Sequence, residues 1–213
     1  MKLFNENTLK NMIYVLLAFL FLMVFRKYIF DGTVEQLSSI DNKMYNVRNG
    51  SDKQKRANLL AFLNLKLGIL VNTLRNDPRH KSDPAVQRLV SNWDKGVSIK
   101  EIGNFESDAA YVINKQYMSF CLQDSPNGKL KNTNVEDTNL ISYVGIHELA
   151  HIMSVSVDHG SEFIKNFKFL LDYSSNITYT NPFTQVTEKL YIPLSELKTA
   201  DNYCGVKIIN SIN

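Results

Sequence analysis

His147-Glu148-Leu149-Ala150-His151, with His159 eight residues further on, places three of the chain's four histidines within thirteen residues. On a helix, positions i and i+4 share a face, so His147 and His151 can grip one metal ion. Glu148 falls on the edge of that face, where it can act on a water at the metal without displacing it. Two imidazoles, a carboxylate base and a third ligand from further along the chain make the pattern of a hydrolytic zinc site. The residues therefore predict Zn2+ held by His147, His151 and His159, with Glu148 as general base. The rival reading is an accidental motif whose histidines are satisfied in a core. The surroundings disfavour it, because Val135 to Val157 reads as a helix that is apolar nearly all round. Two histidines and a glutamate in a buried helix need partners, which a metal supplies. Glu162 competes with His159 as third ligand, but it lies in the first turn of the next helix, where the helix dipole already favours a carboxylate. Gly160, beside His159, lets the chain reverse sharply.

The elements that position these residues can be read from periodicity. Asp52 to Arg75 carries a broad apolar stripe (Leu59, Leu60, Phe62, Leu63, Leu67, Leu70, Val71, Leu74) and predicts a helix that Asn76-Asp77-Pro78 ends. Asp83-Pro84 opens a second helix through about Trp93. Val97 to Ile102, Ala110 to Asn114 and Gln116 to Leu122 read as strands, with Asn114-Lys115 as a tight turn and Ser125-Pro126-Asn127-Gly128 as a loop. Asn132-Thr133-Asn134 is placed to cap the motif helix, with Glu136 and Asp137 in its first turn. Ser161 to Tyr173 predicts another helix, with Phe163, Phe167, Leu170 and Leu171 inward. Residues 174–213 read as loops with one short helix.

Composition sets the outer bounds. The 213 residues allow one ordinary domain plus an appendage, and the net charge of +3 does not announce a nucleic-acid binder. Lys53-Gln54-Lys55-Arg56 and Arg79-His80-Lys81 have acids nearby and read as solvated helix faces; a phosphate or anionic-lipid surface is the lesser reading. Cys121 and Cys204 lack metal-ligand spacing, and two free buried thiols are expected in preference to a disulfide. Asn49-Gly50-Ser51 and Asn176-Ile177-Thr178 are glycosylation sequons that matter only in a luminal domain.

Met12 to Phe25 reads MIYVLLAFLFLMVF, without charge, proline or glycine. Flanking Leu9 and the Tyr28-Ile29-Phe30 surface extend it, with Arg26 and Lys27 able to snorkel. A cleaved signal peptide is the rival, but no small-x-small site follows. Residues 1–30 are therefore expected to be an uncleaved anchor holding the chain in a membrane through residues 9–30. The positive charges on its two sides nearly balance, so orientation stays open. Residues 31–52 are expected to form a polar stalk or a loosely packed helix. Residues 53–213 then comprise a helical region and a catalytic core over about 97–209.

The segment YVGIHELAHIMSVSVDHGSEFIKNFKFLL resembles the active-site region of WLM-type zinc metalloproteases and, more distantly, of SprT-like ones. In those families a HELxH helix precedes a loop with a third histidine and then a phenylalanine on the next helix. His147, Glu148, Leu149, His151, His159 and Phe163 match. The stretch YVINKQYMSFCLQD and Tyr203-Cys204-Gly205 resemble a branch encoded by large DNA viruses. The likeness spans roughly 105–209. It implies an α+β, zincin-like fold and cleavage of protein substrates, in some relatives proteins crosslinked to DNA. The apparent anchor, the absence of an evident DNA-binding appendage and the lack of a glycine between His151 and His159 depart from the WLM pattern. The first two point away from a nucleic-acid-bound substrate.

The combined expectation is a membrane-anchored zinc metalloendopeptidase acting on a protein or peptide substrate, in a viral or virion membrane. Tyr143, Tyr173, Tyr179 and Tyr203 are the candidate oxyanion donors. Gln116 to Leu122 is the candidate edge strand for an extended substrate. The alternative is a non-catalytic membrane-anchored structural or virion protein that keeps a structural zinc site. An intact Glu148 argues against it, because a structural site has no use for that carboxylate.

Overall fold

In the computed structural model, residues 6–26, 32–103, 109–123, 130, 135–196 and 202–207 are described. Helix α2 (Lys53–Asn76) is the spine of the α+β fold. Its apolar side chains point in almost every direction, and Leu59, Leu60, Leu63, Leu67, Leu70, Val71 and Leu74 are all buried. A helix apolar all round is stable only when other elements surround it, and here they do. The helix stops where Asp77 turns to extended backbone before Pro78, which disfavours helical geometry in the residue preceding it. Helix α3 (Pro84–Asp94) starts on Asp83, whose carboxylate accepts from Ala85 N at 2.7 Å and Val86 N at 3.4 Å, with Pro84 in the first turn.

Strands β3 (Ser98–Glu101), β4 (Ala110–Ile113) and β5 (Tyr117–Phe120) form a sheet in the order β3-β5-β4. Here β3 runs parallel to β5, and β4 pairs antiparallel with it in the register Ala110↔Phe120 to Ile113↔Tyr117. Asn114 and Lys115 both take positive φ, 51° and 56°, at the centre of a tight turn that Gln116 N closes onto Ile113 O at 3.1 Å. The expectation for Gln116–Leu122 is corrected by this order. That strand is central, because β3, which precedes the β4–β5 hairpin, pairs with its other side, and β4 is left at an edge.

The expected stalk over 31–52 is also corrected. It contains a hairpin of β1 (Thr33–Leu37) and β2 (Met44–Arg48) packed on the domain, with Tyr45 and Val47 buried. Arg48 ties it down. Its backbone N–H donates to Glu101 at 2.8 Å, and its guanidinium donates to Ile102 O at 3.1 Å and Gly103 O at 3.0 Å. Glu101 is itself buried and ion-paired with Arg56 of α2.

The motif helix α4 (Val135–Met153) lies against α2, and α5 (Ser161–Ser175) lies against α4. Gly145 permits the first contact. A Cβ there would fall 2.8 Å from Leu63 Cδ1 and 3.2 Å from Leu67 Cδ2. Phe163, Phe167 and Leu170 form the inner face of α5, while Leu171 is only partly buried. The helix α4 ends at Met153, before the expected Val157. The proposed cap at residues 132–134 and the loop at 125–128 lie outside the described residues.

The tail is more ordered than its sequence suggests. It forms the hairpin of β6 (Thr178–Thr180) and β7 (Thr187–Lys189), a 3-10 turn at Leu194–Glu196, and a small hairpin of β8 (Asn202–Tyr203) and β9 (Val206–Lys207). Cys204, in the β8–β9 turn, is joined by a disulfide to Cys121 just after β5. The expectation of two free thiols is thereby corrected. The fold brings their Cα atoms to 6.1 Å across 83 residues of sequence, a proximity that spacing alone does not disclose.

By length and composition, α2 is the one described helix apolar enough to cross a membrane. However, 61% of its apolar window is buried in the fold. Near the N-terminus, α1 (Glu6–Arg26) exposes a run of large apolar side chains from Leu9 to Phe25. Its fully described stretch, Asn7–Met23, is apolar but shorter than a membrane span. Residues 27–30 of the expected anchor are outside the described set.

Candidate functional site

The i, i+4 spacing on α4 puts His147 and His151 side by side, with ring centroids 5.1 Å apart. The chain leaves the helix after Met153 and returns over it, so that His159 Nε2 stands 3.1 Å from His147 Nε2. One nitrogen from each of the three rings lies within 4.8 Å of the others. Tetrahedral zinc with ligand bonds of about 2.0–2.1 Å needs nitrogens about 3.4 Å apart, so the cluster is of a size to close on one ion. The fold thus brings together the three residues that spacing nominated.

Phe163 forms the floor beneath them. Its ring centroid lies 4.8 Å from His147, 4.3 Å from His151 and 4.6 Å from His159. This apolar floor explains the protonation state of the pair. Burial, followed by the other histidines of the cluster, pushes the His147 imidazole down to about 3. Burial, then His159 and Lys115, pushes His151 down to about 4. At neutral pH both rings are uncharged, the form that ligates a metal.

Glu148 is only 3% exposed, and its Oε2 has no hydrogen-bond partner among the described residues. Burial pushes its carboxyl up to about 8. An orphaned buried carboxyl oxygen beside the histidine cluster fits a water held between that oxygen and a metal. The donor set therefore suits zinc. Glu162, the rival third ligand, faces elsewhere: its Oε2 accepts from Val155 N at 2.9 Å, and its Oε1 meets Arg88 Nη1 at 3.2 Å.

A cleft of about 580 Å3 opens over His147, Glu148, His151 and His159. Its lining is completed by the edge strand β4, by Asn114 and Lys115 of the turn, and by Val157. A larger cleft, about 660 Å3, lies between β2, α2 and β3. The histidine triad is the metal-ligating cluster found among the described residues, and it lies in the smaller cleft.

The four expected oxyanion tyrosines do not line the site cleft. The Tyr173 hydroxyl donates to Asp77 at 2.8 Å, that of Tyr179 to Glu188 at 3.2 Å, and that of Tyr203 to Cys121 O at 2.6 Å. Tyr143 packs edge-on against Phe167. The tyrosine in the wall is Tyr111 of β4, which the sequence reading did not single out. Lys115 was likewise read only as a turn residue, although its ammonium donates to Ser154 O and Val155 O beside the site. Enrichment in β-branched and aromatic residues puts Tyr111 on a strand and Lys115 in the turn that follows, but nothing local says that this hairpin faces α4.

No protein-family profile and no solved structure matches the chain. It is 28% identical over 143 residues to uncharacterized protein R325 of Acanthamoeba polyphaga mimivirus, covering 66% of this chain and 70% of that protein. It is 28% identical over 111 residues to uncharacterized protein 136R of Invertebrate iridescent virus 6, covering 51% of this chain and 61% of that relative. A third relative, uncharacterized protein 042R of Invertebrate iridescent virus 3, is 30% identical over 77 residues, covering 36% of this chain and 45% of the relative. These comparisons therefore relate the chain to viral proteins whose names carry no activity.

Proposed function

We propose that the chain is a zinc-dependent metalloendopeptidase, tethered to a membrane by α1 and belonging to a virus. The observation that carries the catalytic reading is the combination at one cleft floor. Three imidazole nitrogens stand within reach of one ion, and beside them lies the buried carboxyl of Glu148, whose Oε2 lacks a partner among the described residues. Zinc held by His147, His151 and His159 would supply a Lewis acid and a water of lowered pKa. Glu148 Oε2 is placed to take the proton of the attacking water and return it to the leaving amine. Phe163 keeps bulk water from beneath the ligands. The outer edge of β4 pairs with no strand among the described residues, and it forms the wall against which an extended substrate backbone can lie. The resemblance to WLM-type enzymes and a zincin-like fold agrees with this arrangement. The viral relatives support the viral assignment.

A purely structural zinc site is the alternative. Structural sites are closed by four protein ligands. Here three cluster among the described residues, the site opens to a cleft, and both cysteines are spent on the disulfide. Glu148→Gln separates the readings. The variant is expected to keep one zinc per chain while hydrolysis of an unfolded protein substrate falls by at least about a hundredfold. Equal hydrolysis by the variant and the parent would remove the catalytic reading. For the tether, the full chain should stay with membranes after carbonate washing, and its release uncleaved would remove that part.

A further inference from the structure

His159 reaches the cluster from a segment that holds itself poorly. Residues 154–160 form no helix or strand, and Val155 and Val157 are 66% and 85% exposed, so apolar burial contributes little there. Within its own backbone, only Ser154 N continues the helical pattern, donating to Ala150 O. Side chains supply the remaining hold: Asp158 within the segment accepts from Gly160 N at 3.4 Å, Asn166 donates to Ser154 Oγ at 2.9 Å, and Lys115 donates to Ser154 O and Val155 O. Glu162 Oε2, from the first turn of α5, accepts from Val155 N at 2.9 Å and Ser156 N at 3.4 Å. The other oxygen of Glu162 meets Arg88 Nη1 at 3.2 Å, and the same nitrogen donates to Met153 O at 2.5 Å. Asn92, one turn further along α3, donates to Ile152 O at 3.2 Å. Arg88 and Asn92 thus cap the carbonyl end of α4, and Glu162 holds the N–H groups of Val155 and Ser156 beyond it.

We infer that Glu162, braced by Arg88, is a positioning residue for the third metal ligand: it fixes the backbone turn at Val155-Ser156 that carries His159 back over His147 and His151. This rests on the zinc reading above. A carboxylate serving only the helix dipole would have no reason to reach back seven residues to Val155 N, nor to share an arginine with the end of α4. The two hydrogen bonds and the ion pair hold the turn that brings the three imidazole nitrogens within 4.8 Å of one another.

The test is zinc affinity of the full chain in mild detergent, measured by competition with a chelator, together with the visible spectrum of the cobalt form. Glu162→Ala should weaken zinc binding roughly 10- to 100-fold and reduce the intense tetrahedral cobalt bands. Glu162→Gln, which keeps an acceptor for Val155 N, should restore most of the affinity. Arg88→Met should shift it in the same direction by less. In a His159→Ala background, Glu162→Ala should change nothing further, because Glu162 acts through that ligand. Thermal melting of the metal-free variants checks that each is folded, and if Glu162→Ala does not fold, Arg88→Met carries the same cycle. Unchanged affinity in folded Glu162→Ala, or an equal loss with and without His159, would overturn the inference while leaving the zinc site standing. A parent chain that binds no zinc would instead overturn the zinc reading and the inference with it.

Discussion

Replacing Cys204 by alanine removes the one covalent link between the C-terminal hairpin and the sheet behind the site. The disulfide spans 83 residues, a loop that includes α4 and α5. Closing a loop of that length in the unfolded chain corresponds to a chain-entropy gain of about 4.5 kcal/mol in the native state's favour. Native hydrogen bonding and burial at the same place persist in part, because the Tyr203 hydroxyl still has Cys121 O to donate to and its ring is buried. The measured loss is therefore expected at about 2–5 kcal/mol. Urea unfolding of the full chain in mild detergent, followed by tryptophan fluorescence from Trp93, gives the number. Adding a strong thiol reductant should bring the parent to the level of Cys204→Ala and leave the variant where it was. Alkylation with mass detection should find no reactive thiol in the unreduced parent. A parent with two alkylatable thiols and a reductant-independent midpoint would refute the pairing.

Lys66 offers a test by pH. Its ammonium lies 5.5 Å from the Phe62 ring centroid and 5.3 Å from that of Tyr179, and burial holds its pKa down to about 8, with Glu188 opposing. The unfolded chain keeps this proton up to the ordinary lysine range, so stability should rise by about 3 kcal/mol between pH 8 and 10.5. Lys66→Met should abolish that slope and stabilise the protein at pH 7; a parent whose urea midpoint moves no more than the variant's across that window would contradict the assignment. Gly145→Ala should cost about 1–2 kcal/mol despite alanine's better helix propensity, because its methyl would crowd Leu63 and Leu67. A melting temperature equal to or above the parent's would show that α2 and α4 do not approach this closely.

The site was legible in the sequence because its signal is local. His147 and His151 are one helical turn apart, and His159 follows after a segment long enough to double back. The helices α2 and α3 and the Asn114-Lys115 turn were legible for the same reason. What escaped notice depends on distant partners. The hairpin over 33–48 looks polar because each strand buries few residues, and its anchor is Arg48 meeting Glu101 from 53 residues away. Position within the sheet is likewise non-local. Whether Gln116–Leu122 is an edge depends on β3 joining it in parallel, which leaves β4 as the edge strand beside the site. The cysteine pair and the hydroxyl partners of Tyr173 and Tyr203 were hidden in the same way. Glu162 was legible as a residue suited to a helix start, but its hold on Val155 appears only once α4 and α5 are set side by side.

The most direct test of the central claim is metal content of the purified full chain beside its His147→Ala, His151→Ala and His159→Ala variants, each dialysed against a common low-zinc buffer. The account predicts about one zinc per parent chain and loss of most of it in every variant, with the folded metal-free state retained. A parent without stoichiometric zinc, or variants that keep it, would contradict the claim that these three histidines form a metal centre.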